Sequence, residues 1–440
     1  MIGKDNSASQ VSIFWFRRDL RLNDNAGLYH ALNGQYPVLP LFIFDTDILT
    51  NLADKKDRRV EFIHNALAVL QTKLEKRGSS LLVIHGRPLE VWKQMSGDFD
   101  IAAVYLNHDY EPSAINRDNE VGKFLSSQGI SVHSFKDQVI FEKDEIVKSD
   151  GSPYTVYTPY MKKWKSEIDD FNIEHFPCEK YFSNFYHCRR QKIPSLEELG
   201  FRGTGEAFPS KKIDEALIRD YHKTRNYPGI NGTSRLSVHL RFGTASIREV
   251  LRAAMNLNEK WLEELIWREF FMMILYHFPH VVDRPFREKY QKIKWRNNEE
   301  EFRKWCEGKT GFPIDDTGMR ELNATGYMHN RVRMITANFL TKLLLIDWRW
   351  GERYFAEKLL DYELSSNNGN WQWAAGCGCD AAPYFRIFNP DTQIKKFDPE
   401  LKYVKKWVPE YESNDYVNPM IDYKSARQRA LVVYKKAIQN

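Results

Sequence analysis

The hydrophobic period of this 440-residue chain changes once, and that change limits the possible fold more than any other feature. Over residues 1–136, short apolar runs at 11–16, 38–44, 81–85, 102–107 and 130–135 alternate with helical stretches. Two of these stretches are 26–32 and 58–77, the latter carrying Phe62, Leu67, Leu70 and Leu74 at helical spacing. Runs that are apolar throughout suit strands covered on both faces, and strand–helix alternation assembles them into a parallel sheet. Residues 137–205 read as a connector, turn-rich over KSDGSPYTVYTP, with a short amphipathic helix at 160–169 that carries Trp164. From residue 206 the signals become almost wholly helical, with three- and four-residue apolar spacing over 247–256, 259–278, 299–307, 328–346, 349–362 and 424–438. The expected architecture is α/β plus all-α: an N-terminal parallel-sheet domain (1–136), a long connector (137–205) and a C-terminal helical domain (206–440).

Composition narrows the function classes only slightly. Lys plus Arg number 64 against 59 Asp plus Glu, a formal charge of +5, so any nucleic-acid footprint must come from local clustering. Five cysteines, an odd number in a long chain, point to reduced thiols rather than a disulfide framework. His175, Cys178, His187 and Cys188 lie close in sequence, but their spacing matches no common zinc module and no metal is expected. The first ten residues are polar, and the most apolar segment, 270–278, is too short for a membrane helix, so a soluble, cytoplasmic protein is expected. In the Rossmann-like N-terminal part, a ligand would sit at the strand ends, near Arg17, Asp45, Gly86 and Asn107. No Gly-x-Gly-x-x-Gly follows the first strand, which argues against a dinucleotide there.

The chemistry-bearing stretches lie in the helical part. Residues 361–390, DYELSSNNGNWQWAAGCGCDAAPYFRIFNP, combine Trp371 and Trp373, an Asn-Asn-Gly-Asn turn and a run of small residues that lets a large guest approach the backbone. A planar guest with a polar edge would suit the tryptophans, with Asp361, Asn367 and Asn368 at its edge. The alternative is an ordinary core built from two helices and a turn. Residues 232–237, GTSRLS, offer hydroxyls and one guanidinium for a phosphate, or an ordinary helix cap. Glu264, Trp267, Arg268 and Phe271 share one helical face, as do Asn330, Met334 and Ala337, while Arg331 and Arg333 point elsewhere. Taken alone, Glu264 and Arg268 read as a surface ion pair.

These stretches, together with SIFWFRRDLRLNDN at 12–25, ELIWREFF at 264–271 and GYMHNRVRMITANFL at 326–340, resemble the photolyase/cryptochrome family in family order over nearly the whole chain. The likeness is greatest to class I cyclobutane pyrimidine dimer (deoxyribodipyrimidine) photolyases. It implies a carbon–carbon lyase in which reduced FAD, excited by light, lends an electron to a flipped-out dimer in DNA. By resemblance, Tyr221, Thr233, Ser234, Arg235, Leu236, Ser237, Arg268, Arg333, Asp361, Tyr362, Glu363 and Asn367 hold the FAD, with Arg333 paired to Asp361. Trp295, Trp348 and Trp371 match the family's electron relay. Arg225, Arg331 and Gln393 match DNA-contacting positions. Glu264, Trp267, Arg268, Phe271, Asn330, Met334 and Trp373 match the lesion pocket, with Glu264 and Asn330 acting on the lesion.

The resemblance also bears on which lesion is taken. Family members that act on the (6-4) photoproduct carry histidines where this chain has Asn330 and Met334, and the single-strand-preferring cryptochromes usually carry Gln at Met334 and Tyr at Trp267, so the resemblance implies cyclobutane dimers in double-stranded DNA as the expected substrate. A second chromophore, methenyltetrahydrofolate or deazaflavin, is expected in the N-terminal part, with Glu111 as a folate partner. The competing reading is a cryptochrome that uses the same flavin for signalling. Such receptors commonly extend beyond the helical domain, whereas about fifty residues follow FRIFNP here. A monomer without an obligate protein partner is expected.

Overall fold

A computed structural model describes residues 10–439, so the polar N-terminus lies, apart from Gln10, outside the described residues. The chain forms two compact units, 1–142 with 168–212 and 235–253, and 143–167 with 213–234 and 254–440. Their boundaries cut across the three segments read from the sequence.

The first unit is built on a five-stranded sheet in the order β3-β2-β1-β4-β5. Its strands are β1 (Val11–Phe16), β2 (Val38–Asp45), β3 (Leu82–Gly86), β4 (Ile101–Asn107) and β5 (Ser131–Phe135). All neighbouring pairs are parallel. β1 is central and buried along its whole length, Ser12 included, as the middle strand of a sheet covered on both faces. Ile13 and Trp15 face the Pro88–Asp98 helix through Val91, Trp92 and Met95. That helix and Pro112–Ser127 both begin with proline at the first turn, where its missing N–H costs nothing. Segment 235–253 joins this unit through a buried ionic cluster. Arg248 donates to Asp24 at 2.8 Å and to Asp137 at 2.7 Å, and Arg21 donates to Asp137 at 2.6 Å.

The second unit is helical. Segment 143–167 belongs to it because the Tyr157–Glu167 helix lays Tyr157, Tyr160 and Trp164 against the Glu259–His277 helix, with the Trp164 indole donating to the buried Glu269 carboxylate. Two sequence expectations change here. The single helix expected over 328–346 is an α-helix, Asn330–Asn338, running into a π turn, Phe339–Leu343. The wider turn buries Phe339, Leu340 and Leu343 together and leaves Lys342 inside, its Nζ donating to the Ala375 carbonyl at 2.8 Å. The Asn-Asn-Gly-Asn turn is not a turn but the middle of a continuous helix, Leu364–Ala375. Its asparagines are satisfied without breaking the helix: Asn370 donates to the Ser366 carbonyl at 2.8 Å and Asn368 to that of Val281 at 2.8 Å. The Pro313–Thr325 helix escapes periodicity because it buries Asp315, Asp316 and Thr317 beside its apolar residues.

Candidate active site in the helical unit

The Leu364–Ala375 helix organises the site by serving two clefts from opposite faces. One face, with Ser366, Asn367, Asn370, Trp371 and Trp373, lines a cleft completed by Asn330, Arg333, Met334 and Ala337 and by Phe355 and Asp361. The other, with Ser365, Asn368, Gly369 and Gln372, faces Phe271, Ile274 and Leu275 of the Glu259–His277 helix. Backbones approach closely on both sides. A Cβ on Gly369 would lie 2.2 Å from the Phe271 ring, and one on Gly351 would lie 2.1 Å from the Trp371 ring.

Arg333 stands on the first cleft together with Asn330 and Met334, a correction to the expectation that it points elsewhere. Residues 330, 333, 334 and 337 follow i, i+3, i+4, i+7 spacing and therefore share a face. Its Nη2 donates to both Asp361 carboxylate oxygens, at 3.1 and 3.0 Å. Asn367 turns its amide N–H groups to Glu352, at 3.0 Å from the carbonyl and 2.9 Å from the carboxylate. Burial raises the Glu352 carboxyl above the usual range, and the Asn367 hydrogen bond offsets part of that. Tyr362 is half-buried and Glu363 buried beside them.

Glu264 and Arg268 do not pair with each other. Glu264 forms an ion pair with Arg225, while Arg268 reaches Glu363 at 3.4 Å. Arg225 therefore carries its charge toward Glu264 and lies over the ring of buried Tyr221, 5.3 Å from its centroid. Burial raises the Glu264 carboxyl above its ordinary value, and Arg225 opposes the shift. Trp267 is half-buried, and Phe271 beside it is buried. Arg331 donates to Asn226 at 2.7 Å and lies over the Phe397 ring, 4.5 Å from its centroid. Gln393 is half-buried on the short Pro390–Phe397 helix. Trp371 and Trp348 are each 2% exposed, and Trp295 is half-buried with its edge on Tyr434.

The GTSRLS motif is divided. Thr233 and Ser234 belong to the helical unit, where the Thr233 hydroxyl lies 3.2 Å from that of Tyr327, whereas Arg235, Leu236 and Ser237 belong to the sheet unit. In the sheet unit the strand-end residues already have partners. Arg17 pairs with Asp118, Asn107 donates to Asp19 at 2.6 Å, and Glu111 pairs with Arg18 at 3.1 Å and Arg241 at 2.9 Å. Cys178 is buried, with its thiol donating to the Asn25 carbonyl at 3.3 Å.

Sequence reasoning left out Glu352 and Phe355, whose ring meets Trp371 edge-on at 5.0 Å. With Trp348 they stand at i, i+4 and i+7 on the Trp348–Lys358 helix, so helical spacing from Trp348 was the available signal. It also left Phe385 and Arg386 unassigned, two adjacent exposed residues on the loop after the site helix.

Comparison with known proteins places this arrangement. Residues 261–415 match the family model described as the FAD binding domain of DNA photolyase, and residues 12–180 match the DNA photolyase model. A deoxyribodipyrimidine photo-lyase of Synechococcus sp. is 39% identical over 90% of this chain and 87% of its own length. Among solved structures, a bacterial class III photolyase from Agrobacterium tumefaciens superposes with a TM-score of 0.87 at 31% identity, over 100% of both chains. An archaeal photolyase from Sulfolobus tokodaii with two FAD molecules does so with a TM-score of 0.83 at 34% identity, over 97% of this chain and 100% of that one. With both units matched and identity sustained over nearly the full length, the chain belongs to the DNA photolyase family, and its helical unit carries that family's FAD-binding domain.

Proposed function

We propose that the protein is a light-dependent repair enzyme that splits cyclobutane pyrimidine dimers in double-stranded DNA. The observation that carries this reading is the shared wall of Asn330, Met334 and Trp373 beside the Arg333–Asp361 pair. The site fits FAD. Its cleft joins a polar edge, Asn330, Arg333, Asp361 and Asn367, to the aromatic walls of Phe355, Trp371 and Trp373, the donor set and flat surfaces that a planar ring system with a polar edge requires. Arg268, Arg333, Asp361, Tyr362, Glu363 and Asn367 would hold the ring system, with Tyr221, Thr233 and Ser234 toward its phosphates. When bound and reduced, FAD supplies the electron that light promotes.

The protein's own residues recognise and position the lesion. Trp267 and Trp373 offer stacking surfaces worth about 1–3 kcal/mol per base, which offsets much of the cost of flipping a damaged pair. Glu264, its carboxyl pKa raised by burial against the opposing charge of Arg225, would hydrogen-bond a pyrimidine carbonyl of the lesion. Arg331 and Gln393 extend the DNA contact. Trp371, Trp348 and Trp295, ordered from buried to half-buried, form a path for electrons toward the surface. In the sheet unit a second chromophore would need the Glu111–Arg18–Arg241 cluster to open.

Lesion choice follows from acid–base chemistry. Among the described residues lining the cleft there is no histidine, and the nearby His329 is buried with its Nδ1 accepting from the Arg331 N–H at 3.1 Å. An amide and a thioether supply no proton near neutral pH, and reversal of a (6-4) product requires one. We expect illuminated enzyme to restore an oligonucleotide with one cyclobutane dimer and to leave one with a single (6-4) product unchanged. Restoration of the (6-4) substrate, or of neither, overturns the assignment.

A further inference from the structure

Trp267 has a second aromatic ring behind it that belongs to none of the recognised motifs. Tyr157, at the start of the Tyr157–Glu167 helix, stacks face to face on Trp267 with centroids 3.5 Å apart and planes 7° from parallel. Aromatic neighbours more often sit offset or edge-on at about 4.5–7 Å, so this is an unusually flush contact. Tyr157 is 6% exposed and Trp267 half-buried, with the Phe271 ring also 5.5 Å from the indole and 29° from parallel, so the tyrosine lies on the inner side and a guest has only the exposed part of the indole.

The tyrosine is pinned. Its hydroxyl donates to the Glu263 carbonyl at 2.9 Å, and its backbone N–H donates to Asp380 at 3.1 Å. Its ring also meets Phe270 edge-on at 5.8 Å, and Phe270 meets Trp267 in the same manner at 5.7 Å. Burial, then the charges of Glu263 and Glu264, hold the phenol far above its ordinary pKa, so the hydroxyl remains a donor. One turn and two turns further on, Tyr160 and Trp164 grip Glu269, so the whole helix is locked to the element that carries Glu264 and Trp267.

We propose that Tyr157 is a positioning residue for lesion recognition: it holds the plane of Trp267 from behind, so that the indole meets a flipped pyrimidine pair without first losing rotational freedom. A side chain already ordered before binding contributes more of its contact energy to affinity. This inference rests on the reading of Trp267 as the lesion's stacking surface, and the experiment separates the two. FAD-loaded enzyme is titrated with a duplex carrying one cyclobutane dimer and with the same duplex undamaged, for the native protein, Tyr157→Phe, Tyr157→Leu, Tyr157→Met and Trp267→Ala. Tyr157→Phe keeps the stacked ring and should stay within about twofold of native preference for damage, since only the hydroxyl is lost. Tyr157→Leu, or Tyr157→Met should the first variant not fold, should lose about 3- to 10-fold of that preference, the range of an aromatic pair. Affinity for undamaged duplex and photoreduction of bound FAD should not change. If Trp267→Ala abolishes the preference while the Tyr157 variants keep it, the positioning role is overturned. Equal weakening toward both duplexes, or loss of bound FAD, also overturns it, because it reduces Tyr157 to a structural part. If Trp267→Ala leaves the preference intact, the parent reading fails instead.

Discussion

Lys342 shows how far a single residue can be driven from its ordinary behaviour by what surrounds it. It is wholly buried, with one carbonyl partner and the Tyr434 ring 3.7 Å from its Nζ, and burial pushes its pKa down to about 7. A lysine whose folded pKa lies below its unfolded value destabilises the fold at low pH, and stability rises as pH passes from about 7 toward about 10.4, where the unfolded side chain titrates. We therefore expect Lys342→Met to stabilise the protein by roughly 1–3 kcal/mol at neutral pH, the usual cost of a poorly satisfied buried polar group. The gain should shrink to nothing near pH 10 in melts recorded across that range. Glu264 makes the complementary point. Helical spacing offers it Arg268, yet Arg225, remote in sequence, takes its charge, because the i, i+4 pair is worth only about 0.3–0.5 kcal/mol and yields easily to a better-placed partner.

At the scale of elements, the Leu364–Ala375 helix is shaped by what must pass close to it. Gly369 is a poor helix former, and alanine there would add about 0.8–1 kcal/mol of helical propensity. The added Cβ would meet Phe271 at 2.2 Å, an overpacking that costs about 1–3 kcal/mol. We expect Gly369→Ala to lower stability in chemical denaturation; a gain would mean that Phe271 gives way freely. The proposed tryptophan path would span three elements, with Trp371 and Trp348 on helices and Trp295 on the segment before Glu299–Glu307. Trp295→Phe should leave the melting temperature and repair by pre-reduced enzyme unchanged while slowing photoreduction of oxidised FAD by at least about tenfold, a barrier change of about 1.4 kcal/mol. Unchanged photoreduction would remove Trp295 from the path.

Across the whole molecule, the chain is shared between units by long-range contacts rather than cut at linkers. Arg248 holds segment 235–253 to the sheet unit through Asp24 and Asp137, side chains at most 5% exposed. Removing one member of such a buried cluster leaves charge uncompensated, so Arg248→Ala should cost about 3–5 kcal/mol in denaturant-induced unfolding of the sheet unit, and Arg248→Lys should recover only part of it. A loss below 1 kcal/mol would show that water or Arg21 compensates. The strands and most helices were legible in the sequence by itself, because an apolar run or a 3.6-residue period records which faces are buried, and that is a local property. The motifs that carry the family were legible as well, since each is a run of consecutive residues, the longest being 361–390. Only the tertiary structure decided the partners of Glu264 and Arg268, the stacking of Tyr157 on Trp267, the continuous helix through Asn367-Asn368-Gly369-Asn370 and the division of the GTSRLS motif. The side-chain partners depend on groups far apart in the chain, 95 residues for Arg268 with Glu363, as does the Arg248–Asp24 pair at 224, and no local period records which distant side chain will arrive there.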